Sequence, residues 1–128
     1  MRDLASNIGV AASLVPATQS ATAKGTAVDL RGYDSAALLV TTGAIVSSGL
    51  YVMSLQESDT TTDGDFTDVA AGDMVGALPA SLAASTAYKV GYIGNKRYIR
   101  AVITKTSGTS IDAGAVVVLG GATQKPVA

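Results

Sequence analysis

Arg97-Tyr98-Ile99-Arg100-Ala101-Val102-Ile103-Thr104-Lys105-Thr106 (RYIRAVITKT) decides the fold class. Its residues alternate. Ile99, Ala101 and Ile103 point one way, while Tyr98, Arg100, Val102 and Thr104 point the other. A period of two is that of a β-strand with one face on a core. Working outward, Gly94-Asn95-Lys96 reads as a tight turn, making a hairpin with the strand Ala87 to Ile93 (AYKVGYI). Gly91 inside that strand marks a bulge or a close approach. Ser107 to Ala113 reads as a turn, and Gly114 to Gly120 (GAVVVLG) as a final buried strand.

The first half reads the same way. Thr26 to Arg31 is a short strand closed by Gly32. Ser35 to Thr42 (SAALLVTT) is apolar on both faces, the pattern of a strand covered on both sides. Leu50 to Glu57 is a strand, Ser58 to Asp65 a loop with an Asp-Gly turn signal, and Phe66 to Val69 a short strand. Residues Ala70 to Thr86 form a connection broken by Gly72, Gly76 and Pro79, with a helical turn at Leu82. Short strands, Gly-rich turns and no long helix give an all-β chain: an antiparallel β-sandwich or jelly roll. We expect one domain over 25–121, an extended N-terminal arm over 1–24 and a C-terminal tail over 122–128. A short helix over 3–13 has no strong caps.

Composition narrows the function. Of 128 residues, 48% are hydrophobic and only 15% charged, against about 25% in an average soluble domain. The apolar residues are mainly Ala and Val, with one Phe and no Trp, so they suit thin packed layers better than a deep ligand cavity. Such a chain suits burial in an assembly. The net charge is −1, and the basic residues are scattered apart from Lys96, Arg97 and Arg100, which argues against nucleic-acid binding. The uncharged stretch Ala36 to Met53 is long enough to span a membrane, but Thr41, Thr42, Gly43, Ser47, Ser48 and Gly49 divide it into two strands joined by a turn. The segment Met1 to Ala17 is a poor signal peptide: Asp3 offsets Arg2, and Asn7, Gly9 and Ser13 break its apolar run.

Chemistry finds few candidates. There is no Cys and no His, so the common metal ligands and the common general base are missing. No spacing singles out a lysine to activate a Ser, and Glu57 and the nearby Asp residues crowd one loop, so no catalytic residue is expected. In that loop Asp59, Thr61, Asp63 and Gly64 fit the first, third, fifth and sixth places of a calcium loop, but Ala70 stands where a bidentate Glu is needed. Asp59, Asp63 and Asp65 are weak cation candidates in what reads better as a solvated turn, and no cofactor is expected. Two interface groups remain. One is the apolar set of the arm: Leu4, Ile8, Val10, Leu14 and Val15. The other is Tyr92, Arg97 and Arg100, whose residue types serve both interface anchoring and cross-strand packing.

Two stretches carry a resemblance. They are Leu55-Gln56-Glu57-Ser58-Asp59, running on to Phe66-Thr67-Asp68-Val69, and Val90-Gly91-Tyr92-Ile93-Gly94-Asn95-Lys96-Arg97-Tyr98-Ile99-Arg100. Over residues 26 to 121 the chain resembles small structural proteins from the head-gene clusters of tailed bacteriophages, with a capsid decoration, or cement, protein as the nearest role. The related pattern often carries a Trp near Phe66, which this chain lacks. The resemblance implies a non-enzymatic virion protein, made in the host cytoplasm and placed on the capsid surface. Its implied partners are the major capsid protein and its own copies, as a homotrimer, with no nucleic acid and no membrane. A tail or head–tail component is the alternative. The order of Leu55-Gln56, Ser58-Asp59, Phe66-Thr67 and Arg97-Tyr98-Ile99-Arg100 is also similar to galactose-binding-type jelly rolls, which bind sugar through loop aromatics and charged groups and make a carbohydrate-binding module a further alternative; here the loops hold almost no aromatics beyond Phe66.

Overall fold

The computed structural model describes residues 5–121. Ten strands run in chain order: β1 (Gly9–Gln19), β2 (Ala23–Lys24), β3 (Val28–Asp29), β4 (Ser35–Val46), β5 (Tyr51–Ser58), β6 (Thr67–Asp68), β7 (Met74–Val75), β8 (Ala87–Tyr92), β9 (Tyr98–Lys105) and β10 (Ser110–Gly120). Single 3-10 turns lie at Ala5–Asn7, Asp63–Asp65 and Ala71–Asp73. The strands form two antiparallel sheets packed as a β-sandwich. Sheet A has the order β1-β10-β4-β8-β7, and sheet B the order β2-β9-β5-β6, with β3 also on β9. The pairing is nested: β1 with β10, β2 and β3 with β9, β4 with β8, and β5 with β6.

Alternation selects the inner faces. Leu38, Val40, Val90, Ala113, Ala115, Val117 and Leu119 from sheet A meet Tyr51, Met53, Leu55, Ile99, Ala101 and Ile103 from sheet B. The small Ala101, Ala113 and Ala115 let the layers approach. The Tyr51 hydroxyl is buried there without a hydrogen-bond partner among the described residues. Leu82 also plugs the core, but from irregular chain rather than the expected helical turn: its N–H donates to the Tyr51 carbonyl at 2.8 Å.

Two expected connections change character. The Gly94-Asn95-Lys96 turn does not close a hairpin, because β8 lies in sheet A and β9 in sheet B. The turn after β4 likewise crosses from sheet A to sheet B, with Ser47 and Ser48 both at positive φ. In each case both flanking strands carry apolar residues for the same core, and facing each other across it buries more than lying side by side.

The N-terminal arm is corrected over much of its length. Gly9–Gln19 is β1, an edge strand of the domain paired from Gly9↔Leu119 to Gln19↔Ile111. Without it, the long apolar β10 would leave a row of unpaired N–H and C=O groups. Leu14 is in the core. Ser13 clamps the strand to sheet B: its Oγ accepts the Ala101 N–H at 2.8 Å and donates to the Thr26 carbonyl at 2.9 Å. Gly25 is required beside it, since a Cβ there would fall 2.6 Å from the Ser13 carbonyl oxygen. The helix expected over 3–13 is reduced to the turn at Ala5–Asn7. Leu4 and the tail lie outside the described residues.

Candidate functional site

The two outer faces of the sandwich differ, and the difference comes from what the chain covers by itself. On sheet B the β5–β6 loop folds back over the sheet. Phe66 is buried against the Arg100 guanidinium, 4.0 Å from the ring centroid. Arg100 Nε and Nη2 donate to Gln56 Oε1 at 3.0 and 2.8 Å, and Nη1 pairs with Asp63 Oδ1 at 2.7 Å. Asp63 also accepts from Lys24, and Gln56 donates to Asp68. Hydrogen bonds from Lys24 and then Arg100 hold the Asp63 carboxyl below its ordinary value. Around Arg100 this face is polar and covered.

Sheet A is the reverse. Its register places Val10, Val118, Ala37, Gly91 and Val75 in one row across five strands. The next row is Ala12, Val116, Leu39 and Lys89. On β4 and β10 these residues alternate with core residues, so they point outward. Below them lie Thr41 and Ala87, with Pro16 filling the space over Gly114. Val10 and Val75, at the two margins, are 64% and 60% exposed. An antiparallel sheet open to water normally alternates apolar-in with polar-out. Here one Lys is the only charge in two rows.

The sequence reading of Ser35 to Thr42 as apolar on both faces meets a fold whose described residues cover only one of them. Four registers of 3.4 Å-rise strands, spaced about 4.8 Å apart over five strands, make this face roughly 300 Å². That is the size at which a patch on a monomer is often functional.

The other sequence candidates fall in several places. Val15, at 66% exposure, lies with Val10 on the β1 edge, and Ile8 is half-buried. Tyr92 and Arg100 are only 4% and 6% exposed, so they act inside the fold rather than at its surface. Arg97 is half-exposed, forms a two-pronged ion pair with Asp29 at 3.0 and 2.9 Å, and lies over the Tyr98 ring. The acidic loop disperses its carboxylates: Asp59 pairs with Lys96, Asp63 with Lys24 and Arg100, and Asp65 accepts from Thr60. Among the described residues no three His, Cys, Asp or Glu side chains are grouped to hold a metal ion.

One cleft of about 500 Å³ opens between the Leu30–Ala36 and Tyr92–Arg97 segments. The Tyr92 hydroxyl near its floor donates to Glu57 Oε1 at 2.7 Å and accepts the Lys96 N–H at 3.0 Å. Burial, and then the bond to Glu57, push that phenol well above its ordinary value. It stays neutral and positions chain rather than supplying a nucleophile. Lys96 and Arg97, on the rim, are already paired with Asp59 and Asp29. Among the described residues no helix is long and apolar enough to cross a membrane.

No family model and no curated protein sequence matches the chain. Solved structures do share its fold. The SPBc2 prophage-derived protein YomS matches with a TM-score of 0.53 at 11% identity, over 87% of this chain and 94% of that one. The VP2 subviral particle of infectious bursal disease virus matches with a TM-score of 0.50 at 10% identity, over 93% of this chain. This chain spans 33% of the VP2 chain. At these identities the likeness is one of fold.

Proposed function

We propose that the protein is a non-enzymatic virion structural protein that binds and stabilises a capsid shell as a decoration protein on its surface. The observation that carries this reading is the apolar outer face of sheet A, which the described residues leave uncovered. The nested strand order, which we read as a jelly roll, supports it. So do fold neighbours from a prophage and from a viral particle, and the resemblance to phage head-cluster proteins over residues 26 to 121.

The mechanism is mechanical. Roughly 300 Å² of apolar face is worth about 8 kcal/mol at about 25 cal/mol per Å². The association cost, about 4–15 kcal/mol, consumes most of that. One copy therefore holds weakly, and a symmetric array of copies holds firmly because each neighbour restricts the next. Val10 and Val15 on the β1 edge extend the contact beyond the face.

The test mixes the purified chain with shells of the major capsid protein encoded in the same genome, followed by co-sedimentation. Bound chain that raises the shell's disruption temperature is the expected result. Failure of the wild-type chain to sediment with shells overturns the reading, and immunogold label confined to tails reassigns the protein to a tail or head–tail position.

A further inference from the structure

We infer that the cleft between the Leu30–Ala36 and Tyr92–Arg97 segments is a binding site for a small neutral saccharide. The inference stands apart from the shell reading, which rests on sheet A. The cleft holds about 500 Å³, within the roughly 300–1,000 Å³ of small-ligand sites. It lies between loops at one end of the sandwich, so the thin core does not limit it. Its walls are already set. The Leu30 N–H donates to the Arg97 carbonyl at 2.8 Å and ties one wall to the other. The Tyr33 N–H closes its turn on the Leu30 carbonyl at 3.2 Å, and the Asp34 N–H donates to the Gly120 carbonyl at 3.1 Å. The Lys96–Asp59 and Arg97–Asp29 pairs fix the rim. Little ordering remains to oppose a ligand.

The ligand class follows from what the lining leaves unused. Arg31, Asp34, Ser35 and Asn95 line the cleft, and among the described residues none of their side chains is engaged in a hydrogen bond or ion pair. Arg31 only donates, Asp34 only accepts, and Ser35 and Asn95 do both. A sugar hydroxyl also does both, so this mixture suits it. Leu30, Tyr33 and Ile93 give apolar surface for the C–H face of a sugar ring. Charge disfavours an ionic ligand: Arg31, Lys96 and Arg97 are balanced by Asp29, Asp34 and Asp59. An extended peptide is disfavoured by the backbone. Ala36 is paired on both sides, with Leu119 and Tyr92, while the Ile93 N–H donates to the Asp73 carbonyl and the Lys96 N–H to the Tyr92 hydroxyl. The cleft therefore offers no free strand edge for β-addition, and recognition falls to side chains.

The test is a ¹H–¹⁵N NMR titration of the full chain with galactose, glucose, N-acetylglucosamine and lactose, each to roughly 50 mM, because a ligand this small binds at about millimolar strength. The expected result is a saturable shift with at least one sugar, confined to amides of residues 30–36 and 92–97. Asp34→Ala should weaken that binding about tenfold, the loss of one hydrogen bond to a charged group. Asp34 is exposed, so an unchanged urea midpoint is expected to show that the variant folds; if the midpoint falls, Asn95→Ala on the opposite wall replaces it. No saturable shift with any of the four sugars, shifts confined to other regions, or full affinity in a folded variant overturns the inference. Shifts in the same amides with sodium phosphate and none with sugars also overturn it, because the cleft is then an anion site. Failure here leaves the shell reading standing, and a chain that binds sugar but no shell separates the two in the other direction.

Discussion

Replacing Arg100 with Ala separates a residue that holds the fold from one that waits for a partner. Its guanidinium is almost wholly buried, and two of its N–H groups meet the same Gln56 oxygen. Charge-assisted hydrogen bonds of this kind contribute about 1.5–3 kcal/mol. The Phe66 ring, 4.0 Å from the guanidinium carbon, adds about 1–2 kcal/mol for a desolvated cation–π contact. The third contact, to Asp63, adds little because that carboxylate is exposed to water. These terms share one side chain and overlap, so the expected loss is about 3 kcal/mol. With a urea slope of about 1.5 kcal/mol per M for a chain this size, the midpoint falls by roughly 2 M. The assay is urea unfolding followed by far-UV circular dichroism and tyrosine fluorescence, with Arg97→Ala as the exposed control that moves the midpoint far less. Equal, small shifts for both variants would refute the account of the covered face. So would an Arg100→Ala protein of full stability that no longer associates, because Arg100 would then be an interface anchor.

Ser13→Ala removes the clamp between β1 and sheet B and leaves the buried Ala101 N–H without its acceptor, so chemical denaturation should show a loss of about 1–3 kcal/mol. A loss below about 0.5 kcal/mol would mean that β1 is held by its ladder with β10 alone. Tyr51→Phe deletes an unpartnered buried hydroxyl and should leave thermal stability unchanged or raise it by about 1 kcal/mol; a clear drop would reveal a bridging water. Hydrogen bonding from Arg97 holds Asp29 below its ordinary value of 3.8, and Lys24 with Arg100 do the same for Asp63. A carboxyl depressed in the folded state stabilises it above the unfolded value, and that stability disappears as the pH falls through the folded value. Urea midpoints should therefore fall on acidification below about pH 5, and less steeply for Asp29→Asn. Identical slopes for the variant and the wild type would remove Asp29 from the account.

Much of the fold is legible in local patterns. Ile99, Ala101 and Ile103 face the core as their alternation requires, and the strands at Ala87–Tyr92 and Tyr51–Ser58 begin and end within a residue of their expected bounds. β1 was not legible for a physical reason. Its register shifts between Ala12 and Leu14 and again between Leu14 and Ala17, so its period of two is broken twice. With that pattern lost, only the free edge of β10 could assign those residues to a sheet. The candidate site was half legible. The apolar character of Ser35 to Thr42 on both faces announced a second covering layer, but whether the chain supplies that layer depends on where every other segment goes.

Arg100 shows the same division. Its neighbours in sequence place it outward on a strand, as observed, but Gln56, which accepts its hydrogen bonds, lies 44 positions away. The sequence by itself determined strand periodicity, the composition of the core and the lack of His and Cys chemistry, because these depend on residue types and short-range spacing. Tertiary structure alone decided which strand pairs with which, which outer face is sealed by a folded-back loop, and which is left open. A β ladder joins residues distant along the chain, so a strand's own residues specify its inward side and leave its neighbours, and its cover, to the rest of the molecule.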